Sequence, residues 1–177
     1  MTEIDYHSLK LLVLDVDGVL TDGRIMLTPG GEEIKSFHVR DGSAIKAFSK
    51  MGGKVAILTG RGSEAVNIRG RELGVDLTRL NAGSKLPAFR EILTELGVQP
   101  HETAVIGDDL TDLPLITRAG FAAAVADAAA EVKQRADYVT QARGGAGAVR
   151  EVIEWIMKRT GQWQAVVRGY LEDDARS

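Results

Sequence analysis

Apolar residues arrive along this chain in short unbroken runs: LKLLVLDV at 9–16, KVAILTG at 54–60, TAVIGDD at 103–109 and FAAAV at 121–125. Runs without polar alternation mark strands covered on both faces. Between them the spacing turns helical. Ile45, Phe48 and Ser49 share a face in 42–51, Val66, Arg69 and Leu73 follow one another in 63–73, and Leu86, Phe89, Ile92, Leu93 and Leu96 line one side of 85–96. Gly74 and Gly97 stand where C-cap glycines end such helices. Strand and helix alternate, which predicts an α/β fold: a doubly wound, mainly parallel sheet flanked by helices.

Residues 24–39 break that rhythm. Two strand-like runs, Arg24 to Leu27 and Glu33 to Val39, flank Pro29-Gly30-Gly31, the pattern of a β-hairpin arm inserted between the first strand and the first helix. A lone two-stranded arm is marginal unless it packs on something, so it serves as a lid or an oligomer contact. Its apolar Ile25, Met26 and Leu27 favour the oligomer. Toward the C-terminus Val149, Val152, Ile153 and Ile156 face inward on an amphipathic helix, after which the tail, 158–177, is expected to fray into a mobile acidic end.

Composition narrows the class. A length of 177 residues suits one compact domain, 1–177, and 44% hydrophobic with 27% charged residues is ordinary for a globular protein. The net charge is -3, with 22 Lys plus Arg spread among 25 Asp plus Glu, so no basic run supports nucleic-acid binding. The absence of cysteine excludes disulfides, thiol catalysis and Cys-ligated metals. MTEIDYHSLK lacks the apolar stretch of a signal peptide, and FAAAVADAAA is too short to span a membrane and is interrupted by Asp127. A cytoplasmic protein with neither membrane nor nucleic acid as partner is expected.

Unusual polar residues collect where the strands end. Asp15 and Asp17 follow the first strand, Thr59, Gly60 and Arg61 another, and Asp108 with Asp109 a third, while Lys85 opens a helix. In a parallel sheet those ends share one edge, where open α/β folds bind ligands. So many carboxylates repel strongly at low dielectric unless a divalent cation neutralises them. Oxygen donors without His or Cys favour Mg²⁺ over zinc. Thr59 and Lys85 supply a hydroxyl and a positive charge to a phosphate, and Gly18 and Gly60 let backbone N–H groups approach it. The set predicts phosphoryl transfer. Singly, each residue has a plainer reading: an Asx turn for Asp15 and Asp17, a turn hydroxyl for Thr59, a solvated lysine for Lys85, helix caps for Asp109 and Asp112, surface ion pairs for Arg61 and Arg69. Their conjunction in order along the chain outweighs those readings.

DVDGVLTDG, the TGR threonine, Lys85 and GDDLTD also stand in the order of the four motifs of the haloacid dehalogenase-like hydrolase superfamily, which the chain resembles over nearly its whole length. FHVRDG, ILTGR, IGDDLTDLP, AVADA, ADYVT and GGAGAVREV resemble its small subgroup without a cap domain. The resemblance implies a Rossmann-like hydrolase core and a Mg²⁺-dependent sugar phosphatase of lipopolysaccharide precursor synthesis, acting on 3-deoxy-D-manno-octulosonate 8-phosphate and assembled as a homotetramer through the arm. It implies that Asp15 is the nucleophile and Asp17 the acid-base residue. It assigns the metal to the Asp15 carboxylate, the Asp17 backbone carbonyl and the Asp108 carboxylate, with Asp109 and Asp112 in support. Thr59, Gly60 and Lys85 would bind the phosphoryl group. A keto-acid sugar carries a carboxylate, which makes Arg61 and Arg69 candidates for recognising it.

Three rivals remain at the level of sequence. A nine-carbon acidic sugar such as a sialic acid 9-phosphate would suit the same chemistry. A phospho-acceptor signalling domain of the receiver type also gathers acids, a Thr and a Lys at strand ends, but it puts its acidic pair and its phosphorylated Asp on different strands. An inactive scaffold has no use for intact carboxylates and Lys85.

Overall fold

The computed structural model of the chain describes residues 4–174. Its centre is a six-stranded, wholly parallel sheet in the order β5-β4-β1-β6-β7-β8. The predicted runs supply β1 (Leu11–Leu14), β4 (Lys54–Leu58), β6 (Thr103–Gly107) and β7 (Phe121–Ala124). In β1, β6 and β7 every residue is buried, as strands covered on both faces require. Two short edge strands, β5 (Leu77–Arg79) and β8 (Tyr138–Val139), were not foreseen. Neither carries an apolar run: β5 is LTR, half-buried throughout, and β8 is only two residues long.

Around the sheet lie α1 (Val39–Lys50), α2 (Glu64–Leu73), α3 (Lys85–Leu96), the short α4 (Leu113–Ile116) and α5 (Ala130–Lys133), then α6 (Ala148–Arg159) and α7 (Gln162–Asp174). The foreseen helices bury the faces their spacing indicated: Ile45 and Phe48 from α1, Val66 and Leu73 from α2, Phe89, Ile92 and Leu93 from α3. Gly74 and Gly97 take left-handed φ of 70° and 64° and close α2 and α3.

Two expectations are corrected. The arm is shorter than expected: β2 (Met26–Leu27) pairs antiparallel with β3 (Glu33–Ile34), and Val39 already belongs to α1. The earlier helix start places Asp41 in the first turn of α1, where its Oδ1 accepts from the backbone N of Arg150 at 2.7 Å and satisfies a free donor at the start of α6. The tail does not fray after α6. Gly161, at φ 73°, turns the chain into α7, which lays Trp163 and Val166 on the core, with the Arg150 guanidinium 4.8 Å from the Trp163 ring centroid. The last residues of the acidic end, 175–177, lie outside the described residues.

The topology decides where chemistry can happen. The chain winds from β1 through β4 to β5, then returns to the other side of β1 for β6, β7 and β8. The order reverses between β1 and β6, and a crevice at such a switch point opens beyond the carboxyl ends of the strands. Leu14 is in register with Ile57 and Ile106, so Asp15, Thr59 and Asp108 leave three adjacent strands at one edge.

Candidate active site

Asp15, Asp17, Thr59, Gly60, Arg61, Lys85, Asp108 and Asp109 line a single cleft of about 430 Å³ at that edge. Lys85 reaches it because the loop 81–84 is tied to the end of β4: the backbone N of Ala82 donates to the carbonyl of Thr59 at 3.1 Å, and Asn81 turns the chain at φ 56°. The Lys85 ammonium, nearly buried, donates to Asp112 Oδ1 at 2.6 Å and lies 2.8 Å from Asp15 Oδ1. Thr59 is buried and its Oγ1 accepts from the backbone N of Arg61 at 3.3 Å.

Asp112, placed only in a supporting position by sequence, proves central. Its Oδ2 accepts from the backbone N of Asp108 at 3.0 Å and of Asp109 at 3.4 Å, so both of its oxygens are committed. It locks the GDDLTD turn and holds Lys85 at once. Two glycines make room for this. A Cβ on Gly107 would meet that of Asp112 at 2.6 Å, and one on Gly18, at φ 92°, would collide with the Asp108 carboxylate.

Carboxylate oxygens of Asp15, Asp108 and Asp112 lie within 4.8 Å of one another, against one ammonium. Burial, and then the Asp112 charge, push Asp15 up to about 6. Burial, followed by the charges of Asp15 and Asp112, pushes Asp108 up to about 8. Burial alone would lower Lys85, but Asp15 and Asp112 hold it above its ordinary value. The cluster therefore has an excess of negative charge and a buried acceptor, Asp108 Oδ1, that has no hydrogen-bond partner among the described residues. An all-oxygen donor set of this kind fits Mg²⁺. Asp15 and Asp108 have the oxygens to hold it, whereas those of Asp112 are engaged.

A pH dependence follows. Asp15 and Asp108 both titrate above the ordinary 3.8, so without a divalent cation the folded state keeps protons that the unfolded state has released. Stability should fall as pH rises from about 4 to about 8. Mg²⁺ competes with those protons, so its stabilisation should be larger at pH 8 than at pH 5 by thermal unfolding. Equal Mg²⁺ shifts at both pH values would contradict this picture.

The Asp17 carboxylate turns away from that cluster toward Lys35 Nζ, which also lies 3.3 Å from Glu33 Oε1. Arg61 donates to the same Glu33 oxygen at 3.0 Å, and its Nε is 3.8 Å from Asp17 Oδ2. Glu33 and Lys35 were missed. Their spacing of two on an extended chain, which puts both on one side, was the available signal. Arg69 is not brought to the cleft: it pairs with Glu72 at 2.7 Å and sits 5.8 Å from the Phe37 ring centroid.

A family model described as haloacid dehalogenase-like hydrolase matches residues 74–153. The 3-deoxy-D-manno-octulosonate 8-phosphate phosphatase of Escherichia coli (strain K12) is 43% identical over 156 residues, covering 88% of this chain and 83% of its own. The crystal structure of the Moraxella catarrhalis phosphatase of that name, in complex with magnesium, phosphate and KDO, superposes with a TM-score of 0.91 at 38% identity and covers 93% of this chain and 95% of its own. The cobalt-bound Haemophilus influenzae enzyme gives 0.85 at 42% identity, covering 88% and 91%. With Asp15, Thr59, Lys85 and Asp108 gathered on one edge of a parallel sheet, the chain belongs to the haloacid dehalogenase-like hydrolases, in the group of the 3-deoxy-D-manno-octulosonate 8-phosphate phosphatases.

Proposed function

We propose that the chain is a Mg²⁺-dependent phosphomonoesterase that releases phosphate from 3-deoxy-D-manno-octulosonate 8-phosphate through a phosphoaspartate. The observation carrying this reading is the buried Asp15, held by Lys85 at 2.8 Å beside the unpartnered Asp108 Oδ1. An Asp15 oxygen attacks phosphorus while the bond to the sugar oxygen breaks, and Asp17 gives that oxygen its proton. Asp17 then takes a proton from the water that attacks the phosphoaspartate, which frees phosphate and restores Asp15. Lys85 and the Thr59 hydroxyl, with backbone N–H groups at Gly18 and Gly60, bind the phosphoryl oxygens. Asp15, the Asp17 carbonyl and Asp108 would hold Mg²⁺, which would supply positive charge to the transferring group.

Selectivity for an acidic sugar is assigned to Arg61, the one of the two predicted arginines that lines the cleft. Arg61→Ala should reduce kcat/KM for 3-deoxy-D-manno-octulosonate 8-phosphate by roughly 10- to 100-fold, the value of a charge-assisted bond, and leave 4-nitrophenyl phosphate within about threefold. Equal losses on both would put Arg61 in the phosphate site. Faster turnover of a sialic acid 9-phosphate would reassign the sugar.

A homotetramer built through the arm is the proposed assembly, supported by the exposed Ile25, Met26, Leu27 and Ile34 on its two strands and their flank. Deleting 29–31 should reduce the sedimenting mass below that of the parent, and an unchanged mass would end the assignment. A cytoplasmic location is part of this proposal; among the described residues no helix is long and apolar enough to cross a membrane.

A further inference from the structure

The side chain of Lys35 is only 1% exposed, and its ammonium contacts two carboxylates, Asp17 and Glu33. An ammonium is seldom buried unless a partner requires it there. Among the described residues the ion pairs from β3 and its flank to the body of the protein are Lys35 with Asp17 and Glu33 with Arg61, and the first ends on the proposed acid-base residue. Glu33 extends the chain of charges to Arg61, whose Nε approaches the other Asp17 oxygen at 3.8 Å.

A carboxylate that must meet a leaving oxygen, and later a water, gains from being held in one rotamer, because orientation otherwise has to be found at each turnover. We propose that Lys35 is a positioning residue for Asp17. It fixes Oδ1 by direct contact, while Oδ2, beyond hydrogen-bond distance of the Arg61 Nε at 3.8 Å, is the oxygen through which the proton passes. The arm is then part of the active site as well as an assembly contact, and Glu33 keeps the Lys35 ammonium and the Arg61 guanidinium in register. This rests on the reading of Asp17 as the acid-base residue.

The test uses full-length, Mg²⁺-loaded protein with two substrates. A sugar alkoxide leaves only with a proton, whereas 4-nitrophenolate leaves without one, so misplacing Asp17 affects them differently. Lys35→Met should lower kcat for 3-deoxy-D-manno-octulosonate 8-phosphate by roughly 10- to 100-fold with KM within about twofold. With 4-nitrophenyl phosphate it should show a burst of nitrophenolate equal to the enzyme concentration, followed by slow turnover as the phosphoaspartate waits for a placed base. Lys35→Arg, which keeps the charge, should recover part of kcat. In an Asp17→Asn background Lys35→Met should cost nothing further. A rise in KM for the acidic sugar alone would make Lys35 a substrate ligand and overturn the proposal. So would unchanged kinetics, or an equal loss in the Asp17→Asn background. Near-normal sugar turnover by Asp17→Asn alone would instead remove the acid-base reading, a result separable from any effect at Lys35.

Discussion

Asp15→Asn is expected to lose Mg²⁺-dependent phosphate release by roughly 10⁴-fold or more while keeping the fold. The amide is the same size and can still meet Lys85 through its oxygen, but it cannot attack phosphorus to form a stable acyl phosphate. The substitution also removes one charge from a crowded cluster. Asp15 is pushed up to about 6 by burial and then by Asp112, so at pH 8 it is ionised at a cost to folding. Without Mg²⁺ the variant should therefore melt no lower than the parent at pH 8, and Mg²⁺ should stabilise it less. Initial rates and thermal unfolding measured together separate the two effects. Turnover within about tenfold of the parent would take the nucleophile's role from Asp15.

The parallel core was legible because strands covered on both faces must be apolar at every position. LLVL and FAAA satisfy that demand without help from context, and TAVIG departs from it at Thr103, whose buried hydroxyl donates to the carbonyl of Pro100 at 2.7 Å. LTR at β5 breaks the demand with Thr78 and Arg79 and YV at β8 is too short to show it, and both strands take their register from pairing with Leu58 and Ala124 on neighbours already in place. The tail failed for a related reason. Gly161 just before α7 and Gly169 within it weaken the helical pattern, and its stability comes from Trp163 and Val166 packing on the core, with Arg150 of α6 over the Trp163 ring, a surface that exists only after folding. At the arm the sequence shows two β-like runs but says nothing of Asp41, whose bond to Arg150 lies 109 residues away and favours an earlier helix start.

Within the site, residues next to strand ends were legible, because parallel strands place their carboxyl ends on one edge whatever the details. Asp15, Thr59 and Asp108 needed no more than that. Asp112 was under-read, since a helix cap and the anchor of a buried lysine look the same from spacing alone. Lys35 and Glu33 could not be ranked above other charged arm residues before the arm was seen to fold back over Asp17. Arg69 was over-read for the opposite reason: its arginine chemistry suits a carboxylate, but α2 turns it toward Phe37 and Glu72. The proposed nucleophile and the proposed acid-base residue leave the same strand, as the hydrolase reading requires and the receiver reading does not.

Lys85→Met should damage stability as well as activity. The methionine fills a similar volume, so what is lost is charge: Asp15 and Asp112 lose their shared ammonium in a nearly closed site. Removing one partner from a buried ionic group typically costs about 3–5 kcal/mol, because the remaining charges stay desolvated. The carboxylates can escape part of that cost by keeping protons, so the sign of the pH dependence is fixed. The variant's deficit should be smallest near pH 5 and grow toward pH 8, as the retained protons become harder to hold. Mg²⁺ should recover part of the stability, since a divalent cation beside Asp15 and Asp108 offsets the same excess charge. It should not recover turnover, because Asp15 is no longer held by an ammonium and the phosphoryl group has lost a cation. Chemical denaturation across pH 5 to 8, with and without Mg²⁺, measures this directly. A deficit that is independent of pH would mean that Lys85 contributes packing alone and that the charges around Asp15 are balanced by something else.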